Sequence, residues 1–331
     1  MKRTLYIILT LFGSLLLNGC SGGSLKPNST GAAYELLLVI DDSVFHSAVG
    51  DTLRMFLNQD MPCMPQSEPL FNLSKTDKKG FNDLLQPARN ILIVHVGDRW
   101  SAAKIKKSHD RWSHPQAIIV AQGPDISSIA EALGRSQDAI IDFFVEAEHK
   151  NAIAYQKKSC EAVMQEKVRE ALGVSLTVPK GLTRSMEAEQ FLWLANANLN
   201  ERENLLVYTT PLPADGKLDP DRLLAARDSV LKAHIPGPSE GSYMTTEYRV
   251  QPPMARPIKL ENGRDAMEIR GLWRVEGNYM GGPFVSVSTL DTVNRRIVTA
   301  EVFLYAPNKY KRNLLRRLEA NLYTLNCYGK N

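Results

Sequence analysis

The stretch VSVSTLDTVNRRIVTAEVFL, residues 285–304, decides the fold class, because it predicts two β-strands and the turn between them. Apolar and polar residues alternate on both sides of a turn at residues 291–294, which is the two-residue period of a half-buried strand. The same period occurs over residues 244–250 and 267–275. The second half of the chain is therefore predicted to contain a β-meander.

Two helices are predicted around this meander. Asp219, Pro220 and Asp221 supply a capping carboxylate, a proline at the first helical position and an acidic residue near the helix dipole, so a helix is predicted from there to about residue 234. The other helix lies near the C-terminus and has a basic face. Its members are Lys309, Lys311, Arg312, Arg316 and Arg317. We interpret this face as solvated, with contact to anionic lipid headgroups as the alternative.

The first half of the chain combines buried strands with helices. Continuous apolar runs at residues 35–40, 90–96 and 117–121 predict buried strands. Apolar residues recur at helical spacing over residues 50–58, and residues 100–107 are predicted to form a short helix.

A long helical segment follows at residues 125–173, with a capping-box pattern that starts at Ser128 and a candidate C-terminal glycine at Gly173. The predicted fold class is therefore α+β. Two sheet-containing lobes, residues 34–124 and 174–331, are joined by this helical connector.

The two halves share a local order of elements. In each half a buried strand leads into a helix, a proline-containing turn and a further strand, with Pro62 and Pro65 in the first turn and Pro236 and Pro238 in the second. We interpret this order as an old duplication; the alternative is coincidence, because proline is common after helices. The strand–helix–strand–strand–helix–strand order of the first half predicts a ferredoxin-like split βαβ arrangement.

The N-terminus predicts export and lipidation. A cationic start at residues 1–4 and an apolar run at residues 5–17 are typical of a secretory signal. Residues 17–20, Leu-Asn-Gly-Cys, resemble a lipobox, although asparagine replaces the usual small residue before the glycine. We therefore expect residues 1–19 to be a signal peptide and Cys20 to be acylated. An ordinary secretory signal with a chance cysteine is the alternative.

Acylation at Cys20 would attach the protein stably to a membrane, because a lipoprotein cysteine carries two or more acyl chains. Residues 20–33 begin Cys-Ser-Gly-Gly-Ser and are predicted to be a flexible tether. No acidic pair follows the cysteine, which in the lipoproteins that this segment resembles favours the periplasmic side. We expect a protein that is lipid-anchored in the cell envelope, at the outer membrane and facing the periplasm.

The composition is that of an ordinary globular protein, with 44% hydrophobic and 23% charged residues. A net charge of +4 over 331 residues gives no indication of a nucleic-acid partner. Cys63, Cys160 and Cys327 fit no zinc-site spacing. An oxidising periplasm would permit one disulfide bond among them, and small buried thiols are the favoured interpretation.

The best candidate catalytic residues are His95, Asp98, His109 and His114. A histidine at a strand end with a nearby aspartate can act as a general base, while the alternative is that His95 is a polar group of the core. The spacing of His109 and His114 does not match a helical zinc motif. The sequence also contains no phosphate- or dinucleotide-binding loop, so no metal or cofactor is predicted.

A stretch rich in proline and tyrosine is the candidate partner-binding site. Proline fixes the backbone and lowers the entropy that is lost on binding, and tyrosine is well suited to interfaces. The candidate residues are Pro236, Pro238, Tyr243, Tyr248 and Tyr279. The alternative is that the prolines only end secondary-structure elements and that the tyrosines pack inward.

Four stretches carry a family resemblance. They are the lipobox, residues 236–244 (PGPSEGSYM), residues 281–284 (GGPF) and residues 305–307 (YAP) before the basic helix. Together they resemble an uncharacterised domain-of-unknown-function family of lipoproteins found in Bacteroidota. The resemblance covers nearly the whole chain after the signal segment. It implies a location in the envelope, and it brings no activity, cofactor or site residue.

Two functions follow from these observations. The first is a non-enzymatic, membrane-anchored binding or assembly module whose partner is an envelope protein, a glycan or a lipid. The second is a periplasmic hydrolase that uses the histidines and aspartate of residues 95–114.

Replacing Cys20 by serine should abolish acylation and release the protein from membranes, because the thiol is the site of lipid attachment. Mass spectrometry of the purified protein and membrane fractionation measure the two effects. Ser21→Ala should leave both unchanged. A wild-type protein without an acyl mass would show the lipidation prediction to be wrong.

Overall fold

The structure, a computed structural model, describes residues 26–327. The predicted signal peptide and Cys20 lie outside the described residues. The first lobe consists of β1 (Glu35–Val39), α1 (Asp42–Phe45), α2 (Ala48–Leu57), β2 (Asn72–Thr76), β3 (Asn90–Val96), β4 (Lys104–His109) and β5 (Ala117–Gly123). The helical segment consists of α3 (Ile126–Arg135), α4 (Gln137–Lys158) and α5 (Ala162–Leu172).

The second lobe begins with four strands, and a long antiparallel meander follows α6. Its elements are β6 (Val174–Ser175), β7 (Arg184–Ala188), β8 (Phe191–Ala195), β9 (Arg202–Pro211), α6 (Pro220–His234), β10 (Tyr243–Glu247), β11 (Met254–Lys259), β12 (Asp265–Glu276), β13 (Gly281–Asp291), β14 (Arg296–Tyr305), α7 (Arg312–Leu322) and β15 (Asn326–Cys327). The predicted α+β class with two sheet-containing lobes is confirmed.

The first sheet has the strand order β2-β1-β3-β5-β4, and four of its strands run parallel. The ferredoxin-like prediction is wrong, because β1 and β2 are direct neighbours, whereas a split βαβ motif places a third strand between them. The predicted helix at residues 100–107 is also wrong. This segment forms β4, an edge strand whose lysines are exposed, and such polar edges protect a sheet from pairing with other chains.

The second sheet has the order β10-β12-β13-β14-β9-β8-β7, with β11 also paired to β12, and all its neighbouring pairs are antiparallel. The predicted meander is therefore present. The strand–helix–strand order common to the two halves also exists, since α2 joins β1 to β2 and α6 joins β9 to β10. Three strands separate β9 from β10, however, and the two sheets differ, so the similarity does not extend beyond this local order.

Helix boundaries follow the local chemistry of the chain. The side chain of Asp219 accepts a hydrogen bond from the backbone of Arg222, and α6 then begins with Pro220, as predicted. Gly173 ends α5 with a left-handed φ of 64°. The start of α3 differs from the prediction, because Asp125 rather than Ser128 is its capping residue.

One hydrophobic core extends through both lobes. One face of the first sheet packs on α2, α3 and α4, and one face of the second sheet packs on α5 and α7. A single cluster contains Leu36 and Ile119 of the first sheet together with Val207 and Val302 of the second. A separate cluster lies between α6 and the opposite face of the second sheet.

Charged side chains are buried where α4, β12 and α7 meet. We call this group the Glu319 cluster, and its members are His149, Glu268, Arg270, Arg316 and Glu319. The Glu319 carboxylate lies 2.8 Å from Arg270 Nη2 and 3.2 Å from Arg316 Nη1. It also lies 3.3 Å from His149 Nε2, which comes from the other side of the interface. The cluster thus connects the helical segment to the second lobe.

The N-terminus of α7 is capped by the first lobe. The buried carboxylate of Glu68 accepts hydrogen bonds of 2.7 Å from the backbone N–H groups of Lys311 and Arg312. A carboxylate in this position satisfies free N–H groups and interacts favourably with the helix dipole. Both lobes therefore determine the position of α7.

The basic face predicted for this helix is not a free surface. Lys311, Arg312 and Arg316 are buried, and Lys309 and Arg317 form ion pairs with Glu201 and Glu203. The solvated interpretation is therefore wrong for Lys311, Arg312 and Arg316, whereas Lys309 is exposed and Arg317 is partly exposed. Contact with lipid headgroups stays a prediction. Glu201 and Glu203, which are distant in sequence, pair with two of the basic residues, and Glu319 of the same helix pairs with Arg316.

Replacing Glu319 by glutamine should lower the free energy of unfolding by roughly 3–5 kcal/mol, because buried Arg316 loses its carboxylate partner and buried Arg270 keeps only Glu268. Chemical denaturation at neutral pH measures this. Glu166→Gln, which removes an exposed ion pair with Arg169, should have little effect.

The same variant should also change the pH dependence of stability. Burial raises the pKa of Glu319, but the charges of Arg270 and Arg316 outweigh it and hold the pKa well below the ordinary value of 4.5. The stabilisation is therefore complete above about pH 4.5 and is lost as the pH falls below it. Wild type should lose stability on acidification more steeply than Glu319→Gln, and equal slopes would contradict this role.

Candidate functional site

The histidines predicted as catalytic lie at opposite ends of the first sheet. His95 of β3 pairs with Gln122 of β5, whereas His109 of β4 pairs with Ala117. These two partners are five residues apart along β5, which corresponds to about 17 Å.

His95 and Asp98 lie at the carboxyl end of this sheet, where parallel sheets often bind ligands. The His95 ring stacks on Trp100 with 5.9 Å between centroids, burial lowers its pKa, and Asp98 is exposed. The nearby carboxylates Asp41 and Asp42 form ion pairs with lysines. The two carboxylates thus pair with lysines and not with His95, whose Nδ1 is buried without a hydrogen-bond partner.

His109 and His114 have separate surroundings at the other end of the sheet. The His109 ring packs against Phe143 at 5.0 Å between centroids, and His114 Nδ1 lies 2.9 Å from Asp110 Oδ2. The structure therefore does not bring the four candidate catalytic residues together.

An aromatic pocket opens at one end of the second sheet, on the face that carries α6. Its volume is about 310 Å³, which is the size of a small-ligand site. The lining is mainly apolar, and we define the aromatic pocket by Trp193, Met244, Trp273, Met280, Phe303 and Tyr305. Trp273 and Phe303 are buried in its floor, while Trp193 and Tyr305 are partly exposed.

The alternation of the strands and the length of α6 create this pocket. Side chains alternate between the two faces of a sheet, and four aromatic residues occupy positions that face α6. They are Trp193, Trp273, Phe303 and Tyr305. The helix ends at His234, whose ring stacks on Phe191 at 4.4 Å, so it does not reach the ends of these strands. The aromatic side chains beyond it consequently remain without a covering element.

Trp273 is fixed in the pocket floor. Its indole Nε1–H donates a hydrogen bond of 3.1 Å to the carbonyl of Leu304, and its ring meets Phe303 edge-on at 5.6 Å. Gly282 makes room for this position, because a Cβ there would lie 2.1 Å from the Leu304 carbonyl oxygen and 3.0 Å from Trp273 Nε1. The floor is therefore preorganised.

Trp193 forms a wall of the pocket, and the buried side-chain amide of Asn204 holds it in place. Its Nε1–H donates to Asn204 Oδ1 at 3.0 Å, and Asn204 in turn donates to the carbonyls of Arg202 and Phe303. The guanidinium of Arg202 lies above the Trp193 ring, 5.5 Å from its centroid. A positive charge is thus placed at the edge of an apolar cavity.

A buried ion pair holds α6 on the sheet beside the pocket. Arg227 of α6 donates two hydrogen bonds, of 2.8 and 2.7 Å, to the carboxylate of Glu301 and lies over the Phe284 ring at 3.5 Å. Burial raises the pKa of Glu301 more than the Arg227 charge lowers it. Because Arg227 also donates to Thr246, the pair has a structural role that needs no ligand.

Two of the residues predicted for partner binding lie at the pocket. Pro236 and Pro238 form its rim and are exposed. Tyr279 is fully exposed on the other side of Met280, where it lines an adjoining cleft of about 610 Å³.

Tyr243 and Tyr248 are oriented differently. The ammonium of Lys232 lies 4.8 Å from the centre of the Tyr243 ring, and the Tyr248 hydroxyl donates a hydrogen bond of 2.8 Å to Asp228. Both tyrosines contact α6 and take no part in the aromatic pocket.

Comparison with protein families gives two matches. Residues 29–157 match the family described as a domain of unknown function, DUF8532, and residues 161–324 match another, DUF4837. The chain therefore contains two ranges that are each similar to a domain of unknown function. The boundary between the matched ranges falls between α4 and α5, so the aromatic pocket belongs to the DUF4837 domain.

Comparisons with individual proteins add little. No curated protein matches the chain. Solved structures with some similarity include a point mutant of the protein Mog1, with a TM-score of 0.29, and the Ran-binding protein Mog1p of Saccharomyces cerevisiae, with a TM-score of 0.28. Each has 10% identity and covers 46% of this chain, and the matches cover 89% and 84% of those proteins. TM-scores this low do not support an inference about fold or function.

The described residues contain no metal cluster, membrane-spanning helix or disulfide bond. Over residues 26–327, no group of three or more histidine, cysteine, aspartate or glutamate residues is placed to hold a metal ion. In the same range no helix is both long and apolar enough to cross a bilayer. Cys63, Cys160 and Cys327 are free thiols, and the first and last of them are buried, as the favoured interpretation predicted.

The sequence interpretation missed Trp193, Arg202, Phe303 and Tyr305 of the DUF4837 domain as site residues. Each lies on a strand whose pattern indicates only burial or exposure. The sequence does show that these residues lie near the ends of their strands, at positions that alternate onto the same face of the sheet. That signal becomes useful only when the order of the strands is known.

Replacing Asn204 by alanine should lower the free energy of unfolding by roughly 1–3 kcal/mol, because it leaves the Trp193 N–H and the Phe303 carbonyl without their partner. It should also move the indole N–H resonance of Trp193. Denaturant unfolding and NMR measure these effects. Asn200→Ala, at an exposed loop position, should change neither, and an unmoved Trp193 resonance would contradict the described wall.

Proposed function

We propose that this protein is a membrane-anchored binding module of the cell envelope, and that its aromatic pocket receives part of a partner molecule. The observation that carries the proposal is the pocket itself, an apolar cavity with four aromatic rings on a rigid sheet. Cavities of this kind are the usual location of binding sites in proteins.

The rigidity of the pocket supports binding. Trp193 and Trp273 are each held by an indole hydrogen bond, and proline fixes the backbone at two positions of the rim. Little conformational entropy is then lost when a partner binds, so more of the contact energy becomes affinity.

The surroundings of the pocket also suit a macromolecular partner. Leu199 at the pocket is 68% exposed, and Tyr279 beyond Met280 is fully exposed. Exposed apolar groups around a cavity are typical of interaction sites. The predicted acyl anchor and tether would keep this surface near the membrane and raise its effective concentration toward partners there.

The test is comparative capture from envelope extracts with the lipidated protein as bait. Trp193→Ala removes a wall of the pocket, and Leu199→Ser changes its exposed rim without disturbing the core. Val163→Ser changes an exposed aliphatic residue of α5, which packs on the opposite face of the sheet. We expect wild type and Val163→Ser to retain the same component, and the two pocket variants to retain it at least about fivefold less.

Thermal unfolding of each bait shows whether it is folded, and Leu199→Ser remains informative if Trp193→Ala is destabilised. Equal retention of every component by wild type, Leu199→Ser and a folded Trp193→Ala would refute the proposed function.

A further inference from the structure

Arg202 is a charged group of the aromatic pocket without a counter-charge. Among residues 26–327 no carboxylate lies within ion-pair distance of its guanidinium, and its Nε is buried without a hydrogen-bond partner. The acidic residues adjacent to it in the chain, Glu201 and Glu203, are paired with Lys309 and Arg317. The positive charge of Arg202 is therefore available to a ligand.

The position of this charge restricts the ligand. The guanidinium lies above the Trp193 ring, at 5.5 Å from its centroid, and lines the same cavity as Trp273 and Phe303. A ligand that satisfies both parts of the site needs an apolar body for the rings and an anionic group for Arg202. The two groups must also be adjacent, because the cavity measures only about 310 Å³.

We propose that the aromatic pocket binds the C-terminal residue of a partner polypeptide, with its apolar side chain among the aromatic rings and its α-carboxylate on Arg202. A chain end places these two groups next to each other, and arginine binds carboxylates through paired, charge-assisted hydrogen bonds. This inference rests on the proposed function, since it names the chemistry of the partner that the pocket receives.

The test compares N-acetyl-leucine with N-acetyl-leucinamide, which differ only in the carboxylate. Each is titrated into the ¹⁵N-labelled full chain in detergent, and binding is followed by the indole N–H resonance of Trp193, which a Trp193→Phe variant assigns. Octanoate, an apolar chain with a carboxylate and no peptide group, is the third probe. We expect the acid to bind at least about fivefold more tightly than the amide.

Arg202→Met preserves the apolar stem and removes the charge, so it should abolish the preference for the acid while leaving the affinity of the amide unchanged. Val163→Ser should behave as wild type. Equal binding of acid and amide by wild type, or no perturbation of the Trp193 resonance by either, would overturn the inference. Tighter binding of octanoate than of N-acetyl-leucine would overturn the peptide assignment in favour of a lipid acyl chain.

The failure of this inference is separable from that of the proposed function. If the acid and the amide bind equally while capture still depends on Leu199 and Trp193, the pocket binds a partner but not a chain end. If capture is independent of the pocket, the proposed function itself is wrong, whatever the small ligands do.

Discussion

The carboxylate of Glu319 is the charge on which the arrangement of the helical segment and the second lobe depends. It is fully buried on α7, and it neutralises Arg270 of the sheet and Arg316 of its own helix while it faces His149 of the helical segment. An isolated carboxylate could not be kept ionised at such a depth. The helix can therefore occupy this place only when both sides of the interface are assembled around it.

The capping of α7 imposes the same condition at its other end. Glu68 belongs to the loop before β2, yet it satisfies the first N–H groups of a helix that begins more than two hundred residues later. Together with the continuous core between the sheets, this makes α7 a shared element. The boundary between the DUF8532 and DUF4837 ranges thus separates two sequence families without separating two independent cores.

The two faces of the second sheet are covered by helices to different extents. The α7 side is buried against helices, whereas α6 is anchored by Arg227 and ends before the last rows of side chains. The side chains beyond the end of α6 are aromatic. Because the helix is shorter than the strands it packs on, a cavity remains there. The pocket is therefore a result of the lengths of the elements and needs no special loop.

The sequence was sufficient where the signal was local. Asp219 and Pro220 predict the start of α6, Gly173 predicts the end of α5, and alternation predicts the meander, because each of these features depends on neighbouring residues. Predictions failed where distant parts of the chain meet. The first sheet was assigned the wrong topology because a strand–helix–strand order does not specify which strands become neighbours.

The basic helix and the pocket illustrate the same limit. Lys311 and Arg312 look like surface residues until Glu68 is placed against them, and Arg202 and Trp193 become a site only when β8, β9, β12 and β14 are ordered in space. Pro236 and Pro238 were useful indicators, because they follow the end of α6 at His234 and lie on the rim of the pocket.

The pairing of β9 with β14 also has a consequence for the folding reaction. The meander of β12, β13 and β14 can form from neighbouring segments, but β9 precedes it by the whole of α6, β10 and β11. Closing so large a loop costs chain entropy before its contacts are gained, and such non-local pairing slows folding. Until β9 arrives, β14 is an unpaired hydrophobic edge, and this is the stage at which a folding chain would be most exposed to aggregation.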